Sequence, residues 1–249
     1  MQAQFVFDPR LGIILYRSAI SNPQSIIDQL EVSLYNNNDS YFKWNRATTG
    51  DLDQQLSYRN CSDFKIDPNN FPWDQHIDSS GIREICAKVQ HPLTQCLYDY
   101  EARYSIKMDF QECLNFVKYV PGQHFSPHAD HGFSYNCTVS SVLYLNDNYE
   151  GGELTFDILR FKIKPKAGDI IFFPSTYIYA HGSLPVLTGT KYSVVTMFDY
   201  NERTHKNFKY GYNLDGSPAD PEAGKGIRFP GVQAPLLQPL DQDYLFTGI

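Results

Sequence analysis

Hydrophobic and polar positions alternate with two different periods along the chain, and the change falls near residue 113. Upstream the spacing is helical. Ser21-Asn22-Pro23 places a polar cap before a proline, and Ile26, Ile27, Leu30 and Leu34 follow on one face to about Tyr35, where the polar run Asn36–Ser40 ends the segment. A second helical stretch is expected from Asp74 to Tyr104. Its stripes are Ile82, Ile85, Cys86 and Val89, then Leu93, Cys96, Leu97, Tyr100 and Tyr104, with a break at His91-Pro92. Before these helices, Phe5-Val-Phe and Ile13-Ile-Leu-Tyr read as edge strands separated by a turn at Asp8-Pro9. Residues 37–75 are rich in Asn, Asp, Ser and Pro with Tyr41, Phe42, Trp44, Phe71 and Trp73 among them. They read as a long, partly ordered loop whose aromatics either wall a site or pin the loop to the body.

Downstream, short apolar runs alternate with turn residues. Strands are expected near 113–120, 124–130, 137–146, 152–158, 160–164, 169–173, 177–182 and 191–199. Pro121-Gly122, Asn146–Asn148, Gly151-Gly152, Pro165–Gly168 and Thr188-Gly189 punctuate them. This spacing predicts a sandwich or jelly-roll barrel, with the helices packed outside a sheet. After Tyr200 the pattern fades, and residues 201–249 read as an irregular extension rich in Pro, Gly, Asp and Asn.

Composition narrows the class. A chain of 249 residues buries a sizeable core. Its 18 Tyr and 17 Phe favour strands and pocket walls. A formal net charge of −7 argues against a broad nucleic-acid surface. No apolar run is long enough to span a membrane, and the first residues lack the basic-then-apolar pattern of a secretory signal. Five irregularly spaced cysteines without a CxxC point to reduced thiols and a cytoplasmic protein.

The candidate chemistry lies in residues 119–131. On an extended segment His128 and Asp130 project to one face, with Ala129 turned away. One imidazole and one carboxylate are two-thirds of the 2-His-1-carboxylate triad that holds non-haem Fe(II). His181, after the strand-like run 169–180, is the best third ligand, and Lys191 opens another apolar strand ten residues later. His124 shares the face of His128 but has Ser126 where a carboxylate would be needed, and His131 alternates away from Asp130. Both read as neighbours of the site or as substrate-side residues. His76, His91 and His205 read as structural or exposed.

His128-x-Asp130, His181 and Lys191 together resemble the Fe(II)/2-oxoglutarate-dependent dioxygenases, within them the prolyl 4-hydroxylase branch, which uses lysine where many relatives use arginine. The resemblance covers about residues 113–200. It includes Tyr119-x-x-Gly122, Leu143-Tyr-Leu-Asn146, Gly151-Gly-Glu-Leu-Thr-Phe156 and Pro165-x-x-Gly-Asp169 in the family's order. It implies a mainly β fold with flanking helices (α+β), built on a double-stranded β-helix (jelly-roll, cupin-like) core. It implies one catalytic domain over 1–249, with 1–112 as helical and loop support, 113–200 as the core and 201–249 as the extension.

By this resemblance His128, Asp130 and His181 are the catalytic metal ligands. Fe(II), 2-oxoglutarate and O2 are the reagents, with ascorbate as a further candidate. Lys191 would pair with the distal carboxylate of 2-oxoglutarate, with Tyr119, Tyr144 and Ser193 beside it. The implied reaction hydroxylates a C–H bond with succinate and CO2 as co-products, and an intact Asp130 favours hydroxylation over halogenation. The substrate implied is a prolyl residue of a peptide or protein. The alternatives are a small molecule such as a free amino acid, or a non-oxidative cupin-like metal-binding protein. No nucleic-acid or membrane partner is expected, and the sequence gives no oligomeric state.

Overall fold

The computed structural model describes residues 2–5, 8–35, 43–48, 56–66, 80–132 and 136–200. In chain order the elements are β1 (Gln2–Phe5), β2 (Ile14–Arg17), α1 (Pro23–Tyr35), β3 (Asn45–Arg46), β4 (Arg59–Asn60), β5 (Ser62–Ile66) and α2 (Ser80–Tyr104). The β-rich part follows: β6 (Phe110–Gln111), β7 (Leu114–Tyr119), β8 (His124–His128), β9 (Val139–Tyr144), β10 (Glu150–Gly151), β11 (Leu154–Phe156) and β12 (Phe161–Ile163). It ends with β13 (Ile170–Pro174), β14 (His181–Ser183), β15 (Val186–Thr188) and β16 (Lys191–Asp199).

The strands form a major sheet ordered β1-β2-β13-β9-β16-β7-β5-β3, with β6 joined to β16, and a minor sheet ordered β12-β11-β14-β8-β4. β10 and β15 pair as a separate two-stranded ladder. Interleaved antiparallel sheets of this order are the jelly-roll expected from the strand spacing.

Strand alternation explains how the major sheet is buried on both faces. Ile14 and Tyr16 of β2, Leu143 of β9 and Ile170 and Phe172 of β13 face the helices, where they meet Ile26, Ile27 and Leu30 of α1 and Ile85, Val89 and Leu93 of α2. The intervening residues Leu15, Val142, Tyr144, Ile171 and Phe173 face the minor sheet and its Leu154 and Phe156.

Several expectations change. The anticipated break at His91-Pro92 is absent, and α2 runs through Pro92. The two stripes are in phase, so Ile82, Ile85, Val89, Leu93 and Cys96 form one fully buried row. Packing of that row outweighs the roughly 3 kcal/mol that an interior proline costs. The region 37–75 is not simply a loop. Arg59–Asn60 joins the minor sheet and Ser62–Ile66 joins the major one, with Phe64 and Ile66 in the core. The strand is short and its polar neighbours masked its alternation. Trp44 is a pin: its Nε1 donates to Glu31 of α1, and its ring lies 6.2 Å from that of Tyr192.

The expected strand at 177–182 divides into a 3-10 turn, Tyr177–Tyr179, and β14. β2, read as an edge, lies between β1 and β13. The hydrophobic pattern gave no sign of the β10-β15 ladder. Tyr41, Phe42, Phe71, Trp73, His76, residues 74–79 and the extension 201–249 lie outside the described residues.

Gly168, Asp169 and Asn146, singled out in the sequence, have local structural reasons. Gly168 has φ +85°, and a Cβ there would lie 2.5 Å from the Ile20 carbonyl oxygen. Asp169 beside it accepts hydrogen bonds from Arg17, the Ser18 amide and the Lys166 amide, which ties the N-terminal segment to the core. Asn146 grips the start of β16 on both sides of Lys191, donating to the Thr190 carbonyl and accepting from the Tyr192 amide.

Candidate active site

His128 and His181 stand opposite each other in the β8–β14 pairing, with ring centroids 4.6 Å apart. Each imidazole donates from Nδ1 to a carbonyl two residues earlier: His128 to Ser126 (2.9 Å) and His181 to Tyr179 (3.0 Å). A carbonyl oxygen only accepts, so each ring carries its hydrogen on Nδ1 and presents the Nε2 lone pair. Both Nε2 atoms face Asp130, at 3.4 Å from Oδ1 for His128 and 3.6 Å from Oδ2 for His181. All three donors lie within 4.8 Å of one another. Two imidazole nitrogens and one carboxylate drawn together in this way would suit a divalent cation such as Fe(II).

The surroundings hold two of these groups, His181 and Asp130, in their metal-binding protonation states. Burial lowers the His181 pKa to about 4, partly opposed by Asp130, so its ring is neutral at pH 7. Burial alone would raise the Asp130 carboxyl, but His181, His128 and the Ser140 hydroxyl hold it well below the usual carboxylate range. Ser140 Oγ donates to Asp130 Oδ2 at 2.6 Å and lies 2.7 Å from Ser175 Oγ. The walls are aromatic. Phe125 stacks on His128 at 3.7 Å, the Arg59 guanidinium sits 4.8 Å over Phe125, and Phe173 meets His181 edge-on at 4.7 Å.

The β8–β14 pairing also explains Gly182. Between Phe125 and His128 the register slips past β14, with Pro127 inside the irregular stretch. The displaced backbone presses on Gly182, where a Cβ would lie 2.8 Å from Phe125 O and 3.1 Å from Pro127 N.

Lys191 opens β16 and is 3% exposed. Its Nζ donates to the Gly152 carbonyl and to Ser183 Oγ, each at 2.8 Å, and sits 5.1 Å over the Tyr119 ring and 5.5 Å over that of Tyr144. Burial lowers its pKa to about 7, while Cys61 and Glu153 pull it back up and Lys164 pushes it down. An ammonium has three donors and two are used. The Tyr144 hydroxyl is buried without a hydrogen-bond partner. A buried cation next to an unpaired phenol suits a carboxylate-bearing ligand.

Each predicted residue can be located. Tyr119 is Lys191's partner in the β7–β16 pairing, and Ser193 stands opposite Tyr144 in the β9–β16 pairing. His124 and His131 are not in the metal-binding cluster. His124 Nε2 lies 3.2 Å from the Ser57 carbonyl, and His131 Nδ1 lies 2.8 Å from the Cys137 carbonyl. His91 is exposed beside Gln95 on α2, and His205 lies outside the described residues. Sequence reasoning missed Ser140, Ser183 and Arg59, whose residue types carry no signal until the strands are paired.

Comparisons with known proteins agree with this geometry. Residues 114–199 match the model of the 2OG-Fe(II) oxygenase superfamily. A PKHD-type hydroxylase of Prochlorococcus marinus (strain MIT 9215) is 33% identical over 106 residues, which are 40% of this chain and 47% of that protein. The chain spans about half the length of the curated relatives it matches. A prolyl-4-hydroxylase of Pseudomonas putida superposes with a TM-score of 0.58 at 20% identity, over 77% of this chain and 94% of that one. A Trichoplax adhaerens prolyl hydroxylase, solved with a hypoxia inducible factor oxygen degradation domain peptide, gives 0.59 at 16% identity, over 77% and 84%. Residues 114–199 thus resemble the 2OG-Fe(II) oxygenase superfamily in sequence, and the wider chain shares the fold of the solved prolyl hydroxylases.

Proposed function

We propose that the chain is an Fe(II)- and 2-oxoglutarate-dependent hydroxylase of a prolyl residue in a peptide or protein. The observation that carries this reading is the pairing of two sites. Two Nε2 lone pairs and one carboxylate converge for a metal. Nearby, the buried Lys191 ammonium and the unpaired Tyr144 hydroxyl suit a dicarboxylate co-substrate. A non-oxidative cupin-like protein would need the first feature and leaves the second unexplained. The peptide substrate class is supported by the Trichoplax neighbour, which was solved with a peptide.

In this reading His128, Asp130 and His181 hold Fe(II). Lys191, Tyr144 and Tyr119 bind and orient 2-oxoglutarate through its distal carboxylate, and Ser193 borders them. The iron and 2-oxoglutarate together supply oxidation of a C–H bond by O2, with succinate and CO2 as co-products and ascorbate as an accessory reductant. The chain fixes ligand tautomers through the Ser126 and Tyr179 carbonyls. It keeps the Asp130 carboxylate ionised and, with Phe125 and Phe173, excludes water from one side of the metal site.

We take 1–249 as one catalytic domain, with 1–112 as support, 113–200 as core and 201–249 as an extension. β2 and β5 extending the core sheet supports this. No described helix is long and apolar enough to cross a membrane. Cys61, Cys86, Cys96, Cys113 and Cys137 are free thiols, and the cytoplasmic setting we propose rests on their irregular spacing in the sequence.

The test is a screen of proline-containing peptides alongside small metabolites, read by succinate release and by mass for one added oxygen. His128→Ala and His181→Ala are each expected to abolish succinate formation. Iron-dependent turnover retained in both would overturn the assignment. Turnover of a free amino acid but of no peptide would overturn the substrate class.

A further inference from the structure

We propose that Tyr149 is a further ligand of the co-substrate's distal carboxylate, donating its phenol hydrogen beside Lys191. This rests on the 2-oxoglutarate reading above and adds to it a residue outside the motifs that carried the family resemblance.

Tyr149 is 4% exposed, and its hydroxyl is buried with no hydrogen-bond partner. Among the described residues the only other tyrosine hydroxyl in that condition is that of Tyr144. A buried unpaired hydroxyl costs roughly 1–3 kcal/mol, and native structures usually satisfy such groups with a ligand or water. The position of the ring favours the ligand. Gly189 and Gly152 make room for it: a Cβ at Gly189 would lie 3.2 Å from Tyr149 Cβ, and one at Gly152 would lie 3.0 Å from Tyr149 Cε2. The same point above Gly152 is 3.1 Å from Val186 Cγ2 and 3.2 Å from Lys191 Cδ. The Tyr149 ring therefore runs inward from the β10-β15 ladder to the side of the Lys191 stem, and it packs in one cluster with Tyr119, Cys61 and Val117. Lys191 Nζ in turn lies over the rings of Tyr119 and Tyr144, so Tyr149 borders the same lysine as those two phenols.

Gly152 thus serves the site twice. Its carbonyl takes one hydrogen of the Lys191 ammonium, and its bare α-carbon lets the Tyr149 ring close against the lysine. Its φ of +65° is a conformation that side-chain-bearing residues avoid. Lys164 lies over the Tyr149 ring, with Nζ 4.6 Å from its centroid, and donates to the Tyr149 carbonyl, which helps to fix the ring. The result is a carboxylate pocket with one ammonium and two phenols whose hydroxyls have no other partner. An acid lacking the distal carboxylate gains nothing from either phenol, so Tyr149 also contributes to selection of a dicarboxylate.

The experiment compares Tyr149→Phe with the unaltered chain, each loaded anaerobically with Mn(II). Binding of 2-oxoglutarate and of 2-oxovalerate, which has a methyl in place of the distal carboxylate, is measured by calorimetry. The substitution removes the hydroxyl and keeps the ring. Tyr149→Phe is expected to weaken 2-oxoglutarate binding about tenfold or more, the worth of a hydrogen bond to a charged group. It should leave 2-oxovalerate and Mn(II) binding within about twofold. Unchanged 2-oxoglutarate binding, or equal weakening of both acids, overturns the role of Tyr149 while the co-substrate reading stands. Failure of the unaltered chain to prefer 2-oxoglutarate over 2-oxovalerate overturns both.

Discussion

Lys191 makes co-substrate binding depend on pH in a way that can be worked out in advance. Without an anion beside it, burial holds its pKa near 7 rather than at the 10.5 of a solvated lysine. A carboxylate docked against it favours the ammonium, so binding above pH 7 must be accompanied by uptake of one proton. The sign follows: the bound state holds the proton that the free state has lost, so apparent affinity falls as pH rises. The slope is at most tenfold per pH unit, giving about a fiftyfold weakening from pH 7 to pH 9 and little change below pH 6. The phenols and the thiol packed near Lys191 do not blur this window. Burial pushes the phenols of Tyr119, Tyr144 and Tyr149 and the Cys61 thiol upward, away from it.

The assay is anaerobic calorimetry of 2-oxoglutarate binding at saturating Mn(II), in pairs of buffers with different ionisation enthalpies. Proton uptake should be near zero at pH 6 and approach one at pH 8.5. Lys191→Met should bind more weakly at pH 6 and lose both the slope and the uptake. A flat profile in the unaltered chain, or the same slope in Lys191→Met, would refute the reasoning. Stability gives an independent check. The unfolded lysine keeps its proton up to 10.5 while the folded one releases it near 7. The ligand-free fold should therefore gain stability between those values relative to Lys191→Met.

Two further outcomes test the metal site. Gly182→Ala places a Cβ 2.8 Å from the Phe125 carbonyl oxygen and must spread β8 from β14. We expect a loss of about 1–3 kcal/mol in stability, seen as a lower thermal midpoint, with weaker Mn(II) binding as His128 and His181 separate; normal values of both would contradict the crowding argument. Ser140→Ala removes the 2.6 Å hydrogen bond to Asp130. Mn(II) affinity should fall about 10- to 100-fold with the fold retained, and an unchanged dissociation constant would show that Ser140 does not orient the carboxylate.

Legibility in the sequence followed how local each cause was. His128 and Asp130 share a face because of a period of two that any extended strand has, and that could be read directly. The helical rows of α1 and α2 were equally readable. Pro92 misled because a local rule predicted a break that a long buried row overrides. Strand β5 was hidden because Phe64 and Ile66 are too few to show alternation, and its place depends on pairing with β7. Tyr149 stands two residues before a noted Gly-Gly motif, yet nothing in sequence indicates that its hydroxyl would be buried beside a lysine several strands further along the chain. Ser140 and Ser183 gained their meaning only from non-local register.

The active site is also a fastening between the two sheets. His128 and His181 belong to the minor sheet, whereas Asp130 is tethered by Ser140 of β9 in the major one. Lys191 of β16 reaches across the same gap to Ser183 of β14. The sandwich cannot part without dismantling the metal ligands and the carboxylate anchor together. A cation that binds only the closed sandwich therefore holds the layers shut, by an amount that grows logarithmically with its free concentration over its dissociation constant. Loss of metal should make the seam between β8–β14 and β9–β16 the first part of the fold to exchange its amide hydrogens, so metal supply would set the lifetime of the fold.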